Sequence, residues 1–421
     1  MDNAAFKPRS RAGSLCSPDP LTGVDALDLR LTPSGQDALT AAAALAGGSD
    51  PLAAAEALRA AGVRPDLAAT ALTQASLRVK AVAKLGPQAA HLYLTRTGLE
   101  QATRAVVATR RAARLSLAGV RRVADLGCGI GADTLAFARA GLTVLAVEAD
   151  PLTARIAEAN VDSCGLTSAV EVRCADATTV DLSDVDAVFC DPARRDAARG
   201  RRLFDPTAYS PPWSFVASLA ERVPATVLKL APGIDHALVP ANAEAEWVSV
   251  NGSVVEAALW HGPLAKDPRR ASVLRGAEAE MLTGRGDRAA PVGPRRRYLY
   301  DPDGAVVRAH LVAEFAASVN GTLMDPRIAY VFADIALPTP FGPAFEVEAE
   351  LPYGVKPLRA ALRERGIGVL EIRKRGIAVE PDHLRRSLRL TGSGSATLVL
   401  TRVDATPIAL LCHRVTSPAG G

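Results

Sequence analysis

Between residues 123 and 139 an apolar run, Val123-Ala124-Asp125-Leu126, enters the loop Gly127-Cys128-Gly129-Ile130-Gly131 and leaves through a helical stretch over 133–139. Glycines at a strand-to-helix junction let the backbone turn sharply and approach a ligand, and the helix start presents unpaired N–H groups. The alternation continues with strands over 144–147, 170–173, 187–190 and 226–230 and a helix near 154–164. Strands and helices alternating at this length predict an α/β fold: a doubly wound, mostly parallel sheet covered on both faces. The alternation then stops. Runs over 246–250 and 254–260 flank Asn251-Gly252-Ser253, which predicts a closing antiparallel hairpin.

Other textures surround this region. Residues 1–35 scatter Pro, Ser and Gly and read as a loose lead-in, whereas 36–118 is Ala/Leu/Arg-rich with helical spacing. Asp50 before Pro51 reads as an N-cap with proline at the first helical position. The sheet domain occupies 119–262. Residues 263–294, rich in Arg, Gly, Ala and Pro, read as a linker or extended loop with a strand at most over 271–274. A last α+β accessory domain over 295–416 carries its own strands (368–373, 397–403, 408–415) and helices (309–318, 356–365).

Composition excludes several classes. Across 421 residues, 49 Lys+Arg against 45 Asp+Glu leave a net charge of +4, which excludes a polybasic tail protein but not a basic face. Six cysteines form no CxxC and have no histidines at zinc-ligand spacing, so no metal site is expected. The N-terminus lacks the apolar core of a signal peptide, and no run reaches the ~18–20 apolar residues that span a bilayer. A cytoplasmic protein without a membrane partner is expected.

The glycine loop satisfies Gly127-x-Gly129-x-x-Ala132, and Glu148 follows the first glycine by 21 residues, where an acid holds a ribose diol. On these features alone a nicotinamide enzyme stays open. Three others favour S-adenosylmethionine. Asp125 places a carboxylate where an ammonium is welcome and a pyrophosphate is not. Asp176, followed by Ala177, ends the third strand region, placed to accept from an adenine amine. Asp191-Pro192 follows the fourth strand at the carboxyl edge, where such sheets bind ligands.

Together, Asp125 through Gly131, Glu148, Asp176 and Asp191-Pro192 resemble the ordered motifs of class I S-adenosylmethionine-dependent methyltransferases. The resemblance covers about 120–262 and implies a seven-stranded sheet whose last strand is antiparallel. Upstream, Gly98-Leu99-Glu100-Gln101-Ala102-Thr103 is similar to the segment that lies over the methyl donor in trimethylguanosine-synthase-like enzymes. That likeness implies that Gln101 and Thr103 line the cofactor pocket, alongside Gly127, Gly129 and Gly131.

For methylation of an exocyclic amine, an Asp side chain and the next carbonyl accept the two N–H groups, and an aromatic stacks on the base. Asp191 and Pro192 fit the first part. Ala193 and Arg194 depart from the aromatic pattern, leaving Arg194 or Arg195 to stack or to hold phosphate. Ser210-Pro211-Pro212-Trp213 copies that pattern but reads as a helix start with Trp213 packing inward. Lys229, inside an otherwise apolar strand, suggests with Asp191 and Glu256 the acid-lysine-acid part of ribose 2′-O-methyltransferases, although no leading lysine stands between 85 and 228. Cys190 beside Asp191 reads as packing.

Tyr298-Leu299-Tyr300-Asp301-Pro302-Asp303-Gly304 and Gly368 through Gly376 resemble the THUMP-like domain of bacterial methyltransferases, which implies an RNA partner. Over 295–421, 17 basic residues face 13 acidic ones, so this segment carries the whole net excess. Arg363, Arg365, Arg373, Lys374, Arg375, Arg385, Arg386 and Arg389 form a candidate phosphate-tracking face. A small-molecule or protein methyltransferase, and a binding protein that keeps only the cofactor pocket, remain alternatives.

Overall fold

The computed structural model describes residues 24–46, 50–194, 209–276 and 278–415. Six helices come first: α1 (Val24–Leu31), α2 (Pro33–Leu45), α3 (Pro51–Ala60), α4 (Pro65–Leu85), α5 (Arg96–Gln101) and α6 (Ala105–Leu117). Helical structure thus begins inside the stretch read as a lead-in. Proline opens α2, α3 and α4, where its missing N–H costs nothing, and the Thr32 and Asp50 side chains accept from Gly35 N and Leu52 N. These helices share one core with the α/β layers that follow: Leu39, Leu67, Leu85 and Leu94 pack in the same cluster as Ile130, Leu135 and Ile156.

The doubly wound region follows: β1 (Arg122–Leu126), α7 (Ala132–Arg139), β2 (Thr143–Glu148), α8 (Pro151–Ser163), β3 (Val170–Cys174) and β4 (Ala187–Cys190). After a two-residue pair, β5 (Ala193–Arg194) with β6 (Tyr209–Ser210), come α9 (Trp213–Arg222), β7 (Ala225–Leu230), β8 (Glu244–Val250) and β9 (Ser253–Trp260). Helix α9 opens at Trp213, whose ring packs against the core as the sequence suggests.

The sheet is wider than expected. Its order is β3-β2-β1-β4-β7-β9-β8-β10-β11, with β10 (Arg269–Arg275) and β11 (Glu278–Gly284) drawn from the stretch read as a linker. Seven strands take the expected arrangement, parallel from β3 to β7, with β9 antiparallel to both neighbours. Strand β10 then runs parallel to β8. Its middle is the strand allowed over 271–274, but its place in the sheet is not foreseen because Arg270 and Ser272 look solvent-facing; in the fold both are buried and bond to Glu244 and Glu246 of β8.

The remaining chain forms β12 (Tyr298–Tyr300), α10 (Gly304–Arg308), α11 (Val312–Ser318), β13 (Thr322–Leu323), β14 (Val331–Ala333), β15 (Ala344–Leu351), α12 (Val355–Glu364), β16 (Ile367–Lys374), α13 (Pro381–Leu388), β17 (Gly394–Val403) and β18 (Thr406–Arg414). Its sheet runs β13-β14-β12-β15-β18-β17-β16. The helix expected over 309–318 begins only at Val312, after His310 takes a φ of +61° behind the end of α10. Tyr300, Val306 and Phe315 join Trp247 and Leu230 in one apolar cluster, and Ser249 Oγ bonds buried Asp303 at 3.0 Å, so this unit is docked on the nine-stranded sheet. Among the described residues no helix is long and apolar enough to cross a membrane, and no cluster of three metal-binding side chains occurs.

Candidate active site

The site is built from the glycine loop outward. Gly127 has φ +82°, and a Cβ there would stand 2.9 Å from the carbonyl oxygen of Asp191, so only glycine lets β1 and β4 close up at their carboxyl ends. Gly129 and Gly131 are also left-handed, at +57° and +89°, with Gly131 starting α7. Glu148 fixes the loop: one carboxylate oxygen accepts from Gly129 N and the other from Asp150 N, each at 3.0 Å. Each oxygen keeps a second lone pair for a ligand hydroxyl.

Asp125 is completely buried. Its Oδ2 accepts from the Thr134 hydroxyl at 2.5 Å, while Oδ1 has no partner among the described residues. Burial above all, then the neighbouring Asp133, pushes its pKa up to about 8, against the pull of the Thr134 bond and Arg111. A buried carboxylate oxygen with no donor is costly, and a ligand cation would relieve it. Thr103, also buried, has an unpartnered Oγ1. Among the buried polar atoms left without partners, these two fall on residues expected from sequence to face the cofactor.

Gln101 ends α5 and is exposed. Helix α5 lies on the glycine loop, since a Cβ on Gly98 would meet Ile130 Cγ2 at 2.5 Å. Asp176 caps a short 3-10 turn, its Oδ1 accepting from Thr178 N at 2.8 Å, and Ala177 is buried behind it.

The fourth strand ends at Cys190, and Asp191 and buried Pro192 follow it. Lys229 Nζ lies 2.5 Å from Asp191 Oδ2. Burial pulls the Lys229 pKa down, but Asp191, Glu256 and Asp133 outweigh it and hold the ammonium above its ordinary value. Asp191 and Lys229 therefore meet, as the acid-lysine-acid reading expects, in a charge-paired contact. Glu256 turns instead to Arg111, which also pairs with Asp133 and sits over the Phe189 ring at 4.4 Å. Cys190 is fully buried, and burial raises its thiol pKa, as suits packing. Arg194 falls in β5, where only its backbone is described, and Arg195 lies outside the described residues.

Sequence reasoning passes over Arg111, although a signal is present. It occupies the buried stripe of α6 with Val107, Ala108, Ala112 and Leu115, where a charge needs buried partners. Lys84 escapes by one position. It stands just ahead of the stretch 85–228 that lacks a leading lysine, and its Nζ donates to the carbonyls of Leu99 and Glu100, not to Asp191.

Residues 123–198 match the family described as a methyltransferase domain, 342–414 match the THUMP domain-like family, and 23–81 match a domain of unknown function. An uncharacterized S-adenosylmethionine-dependent methyltransferase of Mycobacterium tuberculosis CDC 1551 is 35% identical over 356 residues, covering 82% of this chain and 95% of the relative. Its counterpart in strain H37Rv matches to the same extent. The chain belongs to the S-adenosylmethionine-dependent methyltransferases. A candidate methyltransferase from Porphyromonas gingivalis W83 shares the fold, with a TM-score of 0.66, 21% identity, and 84% and 92% of the two chains covered. For this methyltransferase S-adenosylmethionine is the methyl donor, and the unpartnered Asp125 and Thr103 oxygens fit a ligand that brings donors into the protein.

Its basic cluster in the THUMP-like unit is mostly spent internally. Arg373 and Arg375 hold Asp301 at 2.6 and 2.7 Å, Arg385 holds Asp382, Lys374 reaches Glu380, and Arg363 and Arg365 bond backbone carbonyls. Of the eight, only Arg386 and Arg389 make no side-chain hydrogen bond or ion pair among the described residues.

Proposed function

We propose that this methyltransferase acts on RNA in the cytoplasm, at an exocyclic base amine. The observation that carries the reading is the Asp191-Pro192 turn, pressed against Gly127 at the carboxyl edge of the sheet, with Asp191 held 2.5 Å from Lys229. S-adenosylmethionine supplies a methyl on sulfonium for in-line displacement, so the protein's work is alignment and exclusion of water. Asp125 takes the methionine ammonium, Glu148 the ribose diol, Asp176 with Ala177 the adenine edge, and Gln101 and Thr103 the near wall. The Asp191 carboxylate and the Pro192 carbonyl accept the amine N–H groups and aim the nitrogen lone pair at the methyl. Lys229 balances the Asp191 charge and fixes its rotamer. Arg194 is assigned to the substrate backbone. The THUMP-like unit, docked on the same sheet, supports RNA as the partner.

Labelled methyl transfer into total RNA from a deletion strain, followed by nucleoside analysis, tests this reading. An Asp191→Ala variant is expected to lose at least ~100-fold in transfer while still binding S-adenosylhomocysteine. Unlabelled RNA with label in protein or small molecules would overturn the substrate. A second reading, with a small molecule or protein as substrate, is favoured by the internal pairing of the C-terminal arginines. Salt-insensitive RNA binding would select it.

A further inference from the structure

We propose that the N-terminal helices serve the cofactor site: α4 clamps the segment 91–103 onto the glycine loop, and Lys84 is the positioning residue that latches it. Between α4 and α6 the chain crosses the loop as a strap with little regular structure of its own, only a turn at Pro87–Ala90 and the six residues of α5. Such a segment keeps its place only if its backbone groups are held from outside. One helix supplies most of the grips. Gln74, fully buried in α4, accepts from Leu94 N at 3.2 Å and donates to Leu92 O at 3.3 Å. Arg78 donates to Leu92 O at 2.9 Å and to His91 O at 3.3 Å. Near the end of the same helix, half-buried Lys84 donates to Leu99 O at 2.8 Å and Glu100 O at 2.7 Å.

The other side of the strap is tied to the loop itself. Asn160 of α8 accepts from Tyr93 N at 2.6 Å, and its amide donates to Tyr93 O and, at 2.9 Å, to Ile130 O. One side chain therefore spans strap and glycine loop. Gly98 rests directly on Ile130, and the strap ends at Thr103 with its buried, unpartnered hydroxyl. Lys84 acts at the far end, placing positive charge where the last carbonyls of α5 carry negative charge. The groups around its ammonium are Arg104 and Lys229, which repel it, and Glu100, which attracts it; burial and the two cations lower its pKa to about 8. The latch thus loses its charge, and its two hydrogen bonds weaken, as pH rises through that value. The region matching a domain of unknown function, 23–81, contains Gln74 and Arg78 and therefore helps to hold a wall of the cofactor pocket.

The test uses the full chain and S-adenosylhomocysteine as probe, so it does not depend on the RNA substrate. Lys84→Met is expected to weaken binding in calorimetry ~10-fold, as loss of two charge-assisted hydrogen bonds would. It should also speed hydrogen exchange of the amides over 91–103. Lys84→Arg should bind within ~3-fold of the parent, as an interaction that only needs charge allows. Lys80→Met, exposed on the same helix, should change nothing. Between pH 7 and 9 the parent should lose affinity relative to the Arg variant, which shares the Asp125 titration but keeps its charge at position 84. Should Lys84→Met fail to fold, Gly98→Ala must give the same loss by lifting the strap from Ile130. Parent-like binding by Lys84→Met, or equal weakening in the Met and Arg variants with an unchanged pH profile, would overturn the proposal.

Discussion

Two carboxylates sit at zero exposure in one sheet and meet opposite fates. Asp125, near the carboxyl end of β1, has an acid and a hydroxyl for neighbours, and its pKa stands at about 8. Glu244, at the start of β8, is raised by burial too, but bonds from Arg114 and Arg270 and from Lys266 N bring it down to about 2. Both Glu244 oxygens are occupied: Oε1 by Arg114 and Arg270, Oε2 by Arg114 and the Lys266 and Asp267 amides. Asp125 keeps one oxygen empty. Depth of burial therefore does not decide which way a buried acid's pKa moves; the completeness of its partners does.

Cutting the satisfied side should produce the largest effect. Glu244→Gln takes from Arg114 and Arg270 the carboxylate they share, leaving Glu246 at 3.5 Å and Asp267 at 2.8 Å, and a loss of about 3 kcal/mol in urea unfolding is expected. Because the folded pKa of Glu244 lies below its unfolded value, its contribution is present above pH 4.5 and fades as pH falls toward 2. The variant's stability should accordingly vary less than the parent's across that acid window.

The unsatisfied side should respond with the opposite sign. The folded pKa of Asp125 lies above its unfolded value, so its contribution is whole below pH 3.8 and is lost as pH rises through about 8. Asp125→Asn should therefore melt with the parent near pH 4 and be more stable at pH 8, by about 1–3 kcal/mol. The same variant should bind S-adenosylhomocysteine ~10-fold more weakly, since the empty oxygen no longer offers a charge. Weakened binding with no gain in stability at pH 8 would break the contrast with Glu244.

The two sides also differ in how far they can be read from the chain. The pocket side is legible because its demands are local. Gly127, Gly129 and Gly131 each need a left-handed backbone, Glu148 needs a fixed distance from them, and Asp191 must follow an apolar strand. The Glu244 side is legible only in part: the hairpin at Asn251-Gly252-Ser253 and a strand over 271–274 can be read, but β10 presents Arg270 and Ser272 to partners on other elements, α6 and β8. Nothing in the strand's own residues announces that its arginine is buried. Lys84 shares that difficulty: its partners are backbone carbonyls 15 and 16 residues away, which leave no mark in the side-chain pattern.

The C-terminal unit tests whether the contrast extends to a surface. Its arginines behave mostly like those around Glu244, with Arg373 and Arg375 sharing Asp301 and Arg385 bonded to Asp382 and Leu370 O. Charges neutralised in this way release no counterions from a nucleic acid. Arg386 and Arg389 differ: both are exposed in or just after α13, and Arg389 holds a left-handed φ of +48°. If RNA tracks this face, those two should carry most of its salt dependence. The double variant Arg386→Ala, Arg389→Ala should lower the slope of log K against log salt by roughly 2, about 1 for each phosphate left unneutralised. Folding should be untouched, since neither side chain is bonded. Substituting Arg373 and Arg375 should do the reverse, destabilising the unit through Asp301 while leaving the salt slope of the folded fraction in place. An unchanged slope in the Arg386/Arg389 variant would mean that this face is as closed to RNA as the paired arginines beside it.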